Sequence, residues 1–512
     1  MKTDKYIHDL PIDVVNGDIE DKAVIRALDL VRQWQETYDI KKDEFETIKD
    51  NYESGFSVEK QKGMKFCNST LTANICKKVF ERLDFLGYSI KFIGTGIEKR
   101  KLELFSQIAK SALEDVMMEA GFSKAIKQSD DSAYQKLTLY GDAFILVGKK
   151  DKLPISYQVI ESDKVILPKG ARQMRGSATG QDVRQIALLF DFEDYDTFVE
   201  TVIPTLDPKW QKIAKKASWG DLPLEKDELE LNEKAEENNT EQDRHGQMMI
   251  YIDLDMKTVV KIVGNQATII EKFEGEKNFP YKKENGELYI PVVNLKGMIS
   301  NEGYYSYGVG HYICQPHFVD NILKNKTISG VLKQVDPIQI YQGKPGGAGD
   351  FQGYLMQAEM SAAEGRHAVI YDEPDENGQY ALGKVQTLSG GQISDVGQIV
   401  ENLIMRDIVE FGVAPSETQT QASKTATAIM SEQENANTLV REISRRFAPE
   451  YKFLIELTIE HFRKFISKND KTPIDTSMIE PKDEIEENFL MNVTRGRVVD
   501  FLNEYRYVVE LD

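Results

Sequence analysis

Gly343-Lys344-Pro345-Gly346-Gly347-Ala348-Gly349 is the stretch of this chain that comes nearest to a phosphate cradle. A P-loop places Gly-Lys-Ser/Thr after its glycines and opens a helix there, so that backbone N–H groups and the lysine converge on phosphate. Here the lysine comes first and proline follows it. The segment reads as a flexible loop, not a nucleotide site. The histidines, His8, His245, His311, His317, His367 and His461, are dispersed. His311 and His317 share one segment, but their separation turns them to different faces of a helix. Cys67, Cys76 and Cys314 form no CxxC pair and leave one over, so neither a disulfide framework nor a zinc site is expected. Neither a Gly-x-Ser-x-Gly elbow nor an HExxH helix is present. Carboxylates are abundant, which makes an acidic nuclease the strongest enzymatic rival. The expectation is a protein without catalysis, metal or cofactor.

Composition sets the frame for whatever the chain does instead. At 512 residues it exceeds a usual single domain, and about two to four domains are expected. An apolar fraction of 41% is enough for a real core. No stretch approaches the roughly 18 apolar residues of a membrane span, and no basic start precedes an apolar run. A soluble, unprocessed protein of a reducing cytoplasm is expected. The formal net charge of −20 argues against a surface that grips nucleic acid everywhere, because phosphate is held largely by Lys and Arg. It is compatible with a channel whose mostly repulsive walls carry a few basic contacts, and equally with an ordinary acidic protein.

The elements that must position any contacts follow from periodicity. The first fifty residues read as polar helix, with apolar positions at Ala23, Ile25, Ala27, Leu28, Leu30, Val31 and Trp34. Leu71 to Phe85 reads as helix, ended by Phe85-Leu86-Gly87-Tyr88 with glycine as the stop. Glu98 to Tyr140 holds one or two long helices. The period then shortens. Ala143–Val147, Tyr157–Ile160, Val165–Leu167 and Ile186–Phe190 read as strands, followed by Met248–Asp253 and Thr258–Val263. In Leu288–Val293 the proline points to an edge strand. The acidic stretch Asp221 to Asp243 lacks β-branched residues and reads as an exposed insertion. Residues 1–300 are therefore expected to form an α+β domain.

Two helical blocks come next. The first, Tyr307 to Lys333, carries an apolar stripe of Val309, Tyr312, Ile313, Val319, Ile322 and Leu323. Pro316 lies inside it, so the helix either begins there or is kinked. The second, Gly391 to Phe411, places Ile393, Val396, Val400, Leu403, Ile404, Ile408 and Phe411 on one face and stops at Gly412-Val413-Ala414-Pro415. The join between them is far longer than a helix–helix loop. It holds strands at Pro337–Tyr341 and Ala368–Tyr371 and a short helix near Leu355 to Ala363, so it is a small subdomain. A polar run, Ser416 to Lys424, precedes a long helix carrying Ile429, Ala436, Leu439, Val440, Ile443 and Phe447. Pro449 kinks or splits that helix, and Leu454, Ile455, Ile459, Phe462 and Phe465 continue its stripe. The tail from Lys471 reads as helix through Val508.

Tyr307-Gly308-Val309-Gly310, at the head of a long helix, resembles the small-residue opening of the first stem helix in tailed-bacteriophage portal proteins, the head-to-tail connectors. Ala358-Glu359-Met360-Ser361-Ala362-Ala363-Glu364-Gly365, followed by Ala368-Val369-Ile370, resembles that family's clip segment. Ile408-Val409-Glu410-Phe411-Gly412-Val413-Ala414-Pro415 is similar to the phrase that closes its second stem helix. Val413-Ala414-Pro415-Ser416 departs from the family's usual Val-Pro with a second proline directly after. The ordered parts match over about residues 60–470, and the order is more specific than any one motif.

The resemblance implies an α+β portal fold with wing, two-helix stem, small α/β clip and helical crown. It implies an N-terminal wing (1–305, with the acidic insertion at about 221–245), a first stem helix (306–333), a clip (334–388) and a second stem helix (389–412). A tunnel loop (413–424), a C-terminal wing helix (425–470) and a crown (471–512) follow. It implies a homo-oligomeric ring, commonly a homododecamer, at one capsid vertex of a virion, assembled in the host cytoplasm. Double-stranded DNA would pass through without sequence preference, for packaging and later ejection. The clip would dock the large terminase and then the head-completion or adaptor protein, with Gln342, Lys344, Gly346, Gly347 and Asp350 as its docking residues. Major capsid and scaffold proteins would touch the wing, and no membrane is involved. Channel contacts would fall on Thr418, Gln419, Gln421, Ser423 and Lys424, with Lys324 and Lys333 on the first stem helix. Ring symmetry turns one lysine per subunit into a ring of lysines, and the hydroxyls and amides beside Lys424 can bond phosphate without reading bases. The rival from another class is an acidic scaffold or adaptor that binds proteins only.

Overall fold

The computed structural model describes residues 21–53, 70–94, 98–129, 131–150, 153–171, 173–175, 182–223, 245–283, 286–298, 304–335, 338–343, 368–371, 386–388 and 426–511. The chain is mixed α and β. The helices are α1 (Lys22–Tyr52), α2 (Leu71–Arg82), α3 (Lys99–Glu119), α4 (Ala133–Tyr140), α5 (Tyr195–Thr201), α6 (Pro208–Ala214), α7 (Val309–Val335), α8 (Ala426–Phe465), α9 (Glu484–Met491) and α10 (Arg495–Glu504). The strands are β1 (Tyr88–Ile93), β2 (Asp142–Lys150), β3 (Leu153–Ile160), β4 (Val165–Ile166), β5 (Gln185–Phe192), β6 (Gly246–Asp253) and β7 (Thr258–Val263). After them come β8 (Thr268–Glu274), β9 (Val292–Lys296), β10 (Ile338–Gly343), β11 (Ala368–Tyr371), β12 (Gln386–Leu388) and β13 (Arg506–Leu511). Two compact units divide the chain. One comprises Met1–Phe45, Leu83–Gly308 and Glu442–Asp512, the other Glu46–Arg82 and Val309–Arg441.

The first unit is built on an antiparallel sheet in the order β4-β5-β6-β7-β8. Its strands carry apolar residues almost without interruption because both faces are covered. On one face lie Ala23, Val24, Ala27, Leu28, Leu30, Val31 and Trp34 of α1, packed with Met249, Tyr251 and Val260. On the other, Phe198 of α5, Ala214 of α6 and Trp219 pack with Met248, Val263 and Ile270. Each large side chain so buried is worth about 1.5–3 kcal/mol. The β6–β7 turn is fixed by Asp253, whose Oδ1 accepts the backbone N–H groups of Asp255 and Met256, both at 2.8 Å. Lys257 there takes a left-handed φ of 53°. The buried Asp253 also receives Arg26 of α1 at 3.3 Å and the Tyr251 hydroxyl at 2.9 Å.

A second antiparallel sheet, β3-β2-β9, packs with α4 and the C-terminal half of α8. Phe447, Tyr451, Leu454, Ile455 and Phe462 of that half are buried. The Tyr157 hydroxyl lies 2.9 Å from Thr458 Oγ1, and Tyr134 meets Phe447 with ring centroids 5.5 Å apart. Pro291 precedes β9, which is an edge strand as the proline implied. The strand starts later than Leu288, which makes an isolated bridge with Lys282 instead.

The C-terminal region corrects the sequence reading most plainly. The tail does not stay helical to Val508. It passes through α9 and α10 and ends as β13, antiparallel to β1 with Lys91 opposite Val508. α10 lies against α3, where Phe105 stacks on Phe501 at 4.2 Å and Arg495 bonds Glu119. Gly87 does not cap α2. The helix stops at Arg82, Leu83 is fully buried, and Tyr88 already pairs with Leu511. Neither internal proline ends its helix: α7 runs through Pro316 and α8 through Pro449. Leu222, within the stretch read as an exposed acidic insertion, is buried, while 224–244 lie outside the described residues.

In the second unit α2 packs on α7. A small three-stranded sheet, β11-β10-β12, follows α7 in the chain. β10 is parallel to β11, with Ile340 opposite Ala368, and antiparallel to β12, with Ile338 opposite Leu388. The short helix expected near Leu355 to Ala363 and the second helical block, Gly391 to Phe411, lie outside the described residues.

Candidate functional site

Two polar constellations stand out, one in each unit. In the first unit the last residues before α7 are clamped onto β2 and β9. Asp142, fully buried, accepts the Ser306 backbone N–H at 2.5 Å and the Asn294 side-chain amide at 2.8 Å. Asn294 also donates to the Tyr304 hydroxyl at 3.1 Å, and Lys296 Nζ to the Tyr304 carbonyl at 2.7 Å. Met298 and Tyr307 exchange backbone bonds of 3.1 and 2.8 Å. Burial pushes the Asp142 carboxyl up, against the pull of Lys296 and the bonds from Asn294 and Ser306. Burial likewise pushes the Lys296 ammonium down, opposed by Asp142 and Glu450. Gly141, which ends α4 at a left-handed φ of 85°, makes the clamp possible. A Cβ there would sit 2.3 Å from the Tyr307 carbonyl carbon.

In the second unit α7 is inverted relative to an ordinary amphipathic helix. Val309 and Ile313 are buried as their periodicity implied, but so are the polar His317, Asp320 and Asn321. Tyr312, Phe318, Val319 and Ile322 are exposed, so the stripe read from the sequence is split rather than buried as one. Distant partners explain the inversion. Thr72 at the start of α2 approaches His317 Nδ1 with its hydroxyl at 2.8 Å and its N–H at 3.4 Å. The Asn51 amide donates to Cys314 Sγ at 3.3 Å. Burial pushes the His317 imidazole down; nearby Asp320 opposes this and Lys324 adds to it. A neutral ring accepting at Nδ1 fits the Thr72 contacts.

Of the residues singled out for a channel, Lys324 lies on α7, half-buried, with Nζ 2.7 Å from Asp320 one turn earlier. Its charge is therefore shared with a carboxylate of its own helix. Lys333 is on α7 and Gln342 on β10, and the side chains of both lie outside the described residues. Thr418, Gln419, Gln421, Ser423, Lys424, Lys344, Gly346, Gly347 and Asp350 also lie outside them. Neither polar constellation was visible in the sequence. Each joins residues far apart in the chain, and a lone Asp, Asn or Thr carries no spacing signal. Among the described residues no group of His, Cys, Asp and Glu is placed to hold a metal, and no helix is long and apolar enough to cross a membrane. No protein-family model matches the chain, and no curated protein matches it.

Proposed function

We propose that the chain is a portal protein: a homo-oligomeric ring at one capsid vertex through which double-stranded DNA is packaged and later ejected. The observation that carries this reading is the sequence of parts after Gly308. A long helix, α7, leads into a small mixed sheet, β11-β10-β12, and the chain returns to a second long helix, α8, whose C-terminal half belongs to the first unit. This order supports reading α7 as a stem helix, the small sheet as a clip and α8 as a C-terminal wing helix. The exposed Val319 and Ile322 on a helix that buries polar residues support it, because an apolar helix face in water favours association. In a ring, a head-to-tail contact repeats until the circle closes.

On this reading 413–424 is the tunnel loop, with Lys424 and its polar neighbours Thr418, Gln419, Gln421 and Ser423 on the phosphates. The clip, including Gln342, Lys344, Gly346, Gly347 and Asp350, docks the large terminase and then the head-completion protein. The role is mechanical, without catalysis or cofactor. Lys324 contributes less than an unpaired lysine would, since Asp320 offsets its charge. Mass photometry of the purified protein tests the reading. It expects a large discrete oligomer under assembly conditions, and a species that stays monomeric or dimeric in every condition contradicts it.

A further inference from the structure

We propose that the turn 473–483 together with α9 is a docking surface for a basic amphipathic segment of another protein. The four most exposed large apolar side chains among the described residues all lie on α3 or in this C-terminal region: Met478 at 93%, Ile485 at 80%, Met118 at 72% and Met491 at 69%. Their exposure does not come from a loose segment. Asp483 caps α9 by accepting the N–H groups of Ile485 and Glu486 at 3.0 and 2.8 Å. Arg100 of α3 holds Glu486 with two bonds, of 3.1 and 2.9 Å, and also reaches the Glu480 carbonyl at 3.1 Å. On the inner side Phe489 packs on Phe105 and Leu490 is buried. The Asp475 N–H bonds Asp115 at 3.3 Å, which brings the Met118 end of α3 beside the Met478 turn. A well-anchored segment thus holds its methionines and isoleucine out to water.

The charge around them selects the occupant. Residues 470–491 carry seven carboxylates (Asp470, Asp475, Glu480, Asp483, Glu484, Glu486 and Glu487) against Lys471 and Lys482. Glu480, Glu484 and Glu487 make no ion pair among the described residues. A second copy of a chain of net charge −20 would bring like charge to this face, whereas lysines flanking an apolar stripe would meet both of its properties. Methionine suits such a surface because its unbranched side chain adapts to a partner's shape. The proposal does not rest on the ring reading and would hold for a monomer.

The test is fluorescence anisotropy of the full-length chain with a labelled synthetic amphipathic helix of leucine and lysine. Binding that weakens as salt is added is expected. Met478→Ser and Ile485→Ser should each weaken it roughly tenfold, the loss expected for truncating an interface anchor. The triple variant E480Q/E484Q/E487Q should flatten the salt dependence. Ile213→Ser, an exposed apolar residue of α6, should leave affinity unchanged. These side chains face solvent, so circular dichroism should report unaltered folding. Absence of binding, or equal binding to the wild type and to M478S and I485S, overturns the proposal. Sedimentation showing that M478S or I485S dissolves a self-associated species also overturns it, and assigns the face to a second copy.

Discussion

The Asp142 carboxylate accepts the Ser306 backbone N–H at 2.5 Å and so ties the first residue of β2 to the segment immediately before α7. The bond is wholly buried, and the same carboxylate receives Asn294 at 2.8 Å. Asp142→Ala would leave two donors without an acceptor and Lys296 with Glu450 alone of its two opposing charges. A loss of about 3–5 kcal/mol is expected in urea unfolding. Adding Lys296→Met should recover part of it, and a recovery of nothing would show that Lys296 and Asp142 are not coupled.

His461 sets an acid limit on stability. It is buried on α8, stacked on Phe465 with centroids 5.6 Å apart, and burial pushes its imidazole down to about 4, with Lys464 acting in the same direction. Over the window between the ordinary 6.5 and about 4 the unfolded chain binds a proton that the folded chain does not. Stability from this group is therefore full above 6.5 and falls as pH drops toward 4, by on the order of 3 kcal/mol. His461→Phe should flatten that limb of a plot of unfolding free energy against pH. An unchanged slope would remove His461 as the cause.

In the second unit the Thr72–His317 contact can be isolated by substitution. Thr72→Val removes the hydroxyl 2.8 Å from Nδ1 and leaves a buried nitrogen poorly satisfied. A cost of about 1–3 kcal/mol is expected in thermal or urea unfolding. A double-mutant cycle with His317→Phe should give a coupling of roughly 0.5–3 kcal/mol; a coupling indistinguishable from zero would mean the two groups do not interact in solution.

The tunnel-loop assignment is tested by charge reversal. Lys424→Glu should cut DNA packaging in a reconstituted assay while oligomer size by mass photometry stays the same. Packaging at the wild-type level by that variant would withdraw the role given to this lysine.

What the sequence made legible was whatever repeated along it. Met248–Asp253 and Thr258–Val263 read as strands because cover on both faces leaves continuous apolar runs, and both stand as β6 and β7. The α1 positions from Ala23 to Trp34 lie on the sheet for the same reason, with Ile25 at the margin. What depended on distant partners was hidden. Val508 looked helical because its strand partner, Lys91, lies near the other end of the chain. The short α5 and α6 and the strand β8 carried too little periodicity to announce themselves. The split stripe of α7 could not be foreseen, since Thr72, far off in the chain, is what receives the buried His317. Of the channel residues, Lys324 shows a partner that helical spacing itself offered: Asp320, one turn earlier on the same face.

The central claim is that identical protomers close into a ring around a hole wide enough for duplex DNA. Averaged electron-microscopy views of the purified oligomer down its axis test this most directly. A closed ring with a central opening wide enough to admit a DNA duplex is expected. Solid particles without any axial opening, under every assembly condition that yields an oligomer, would contradict the account.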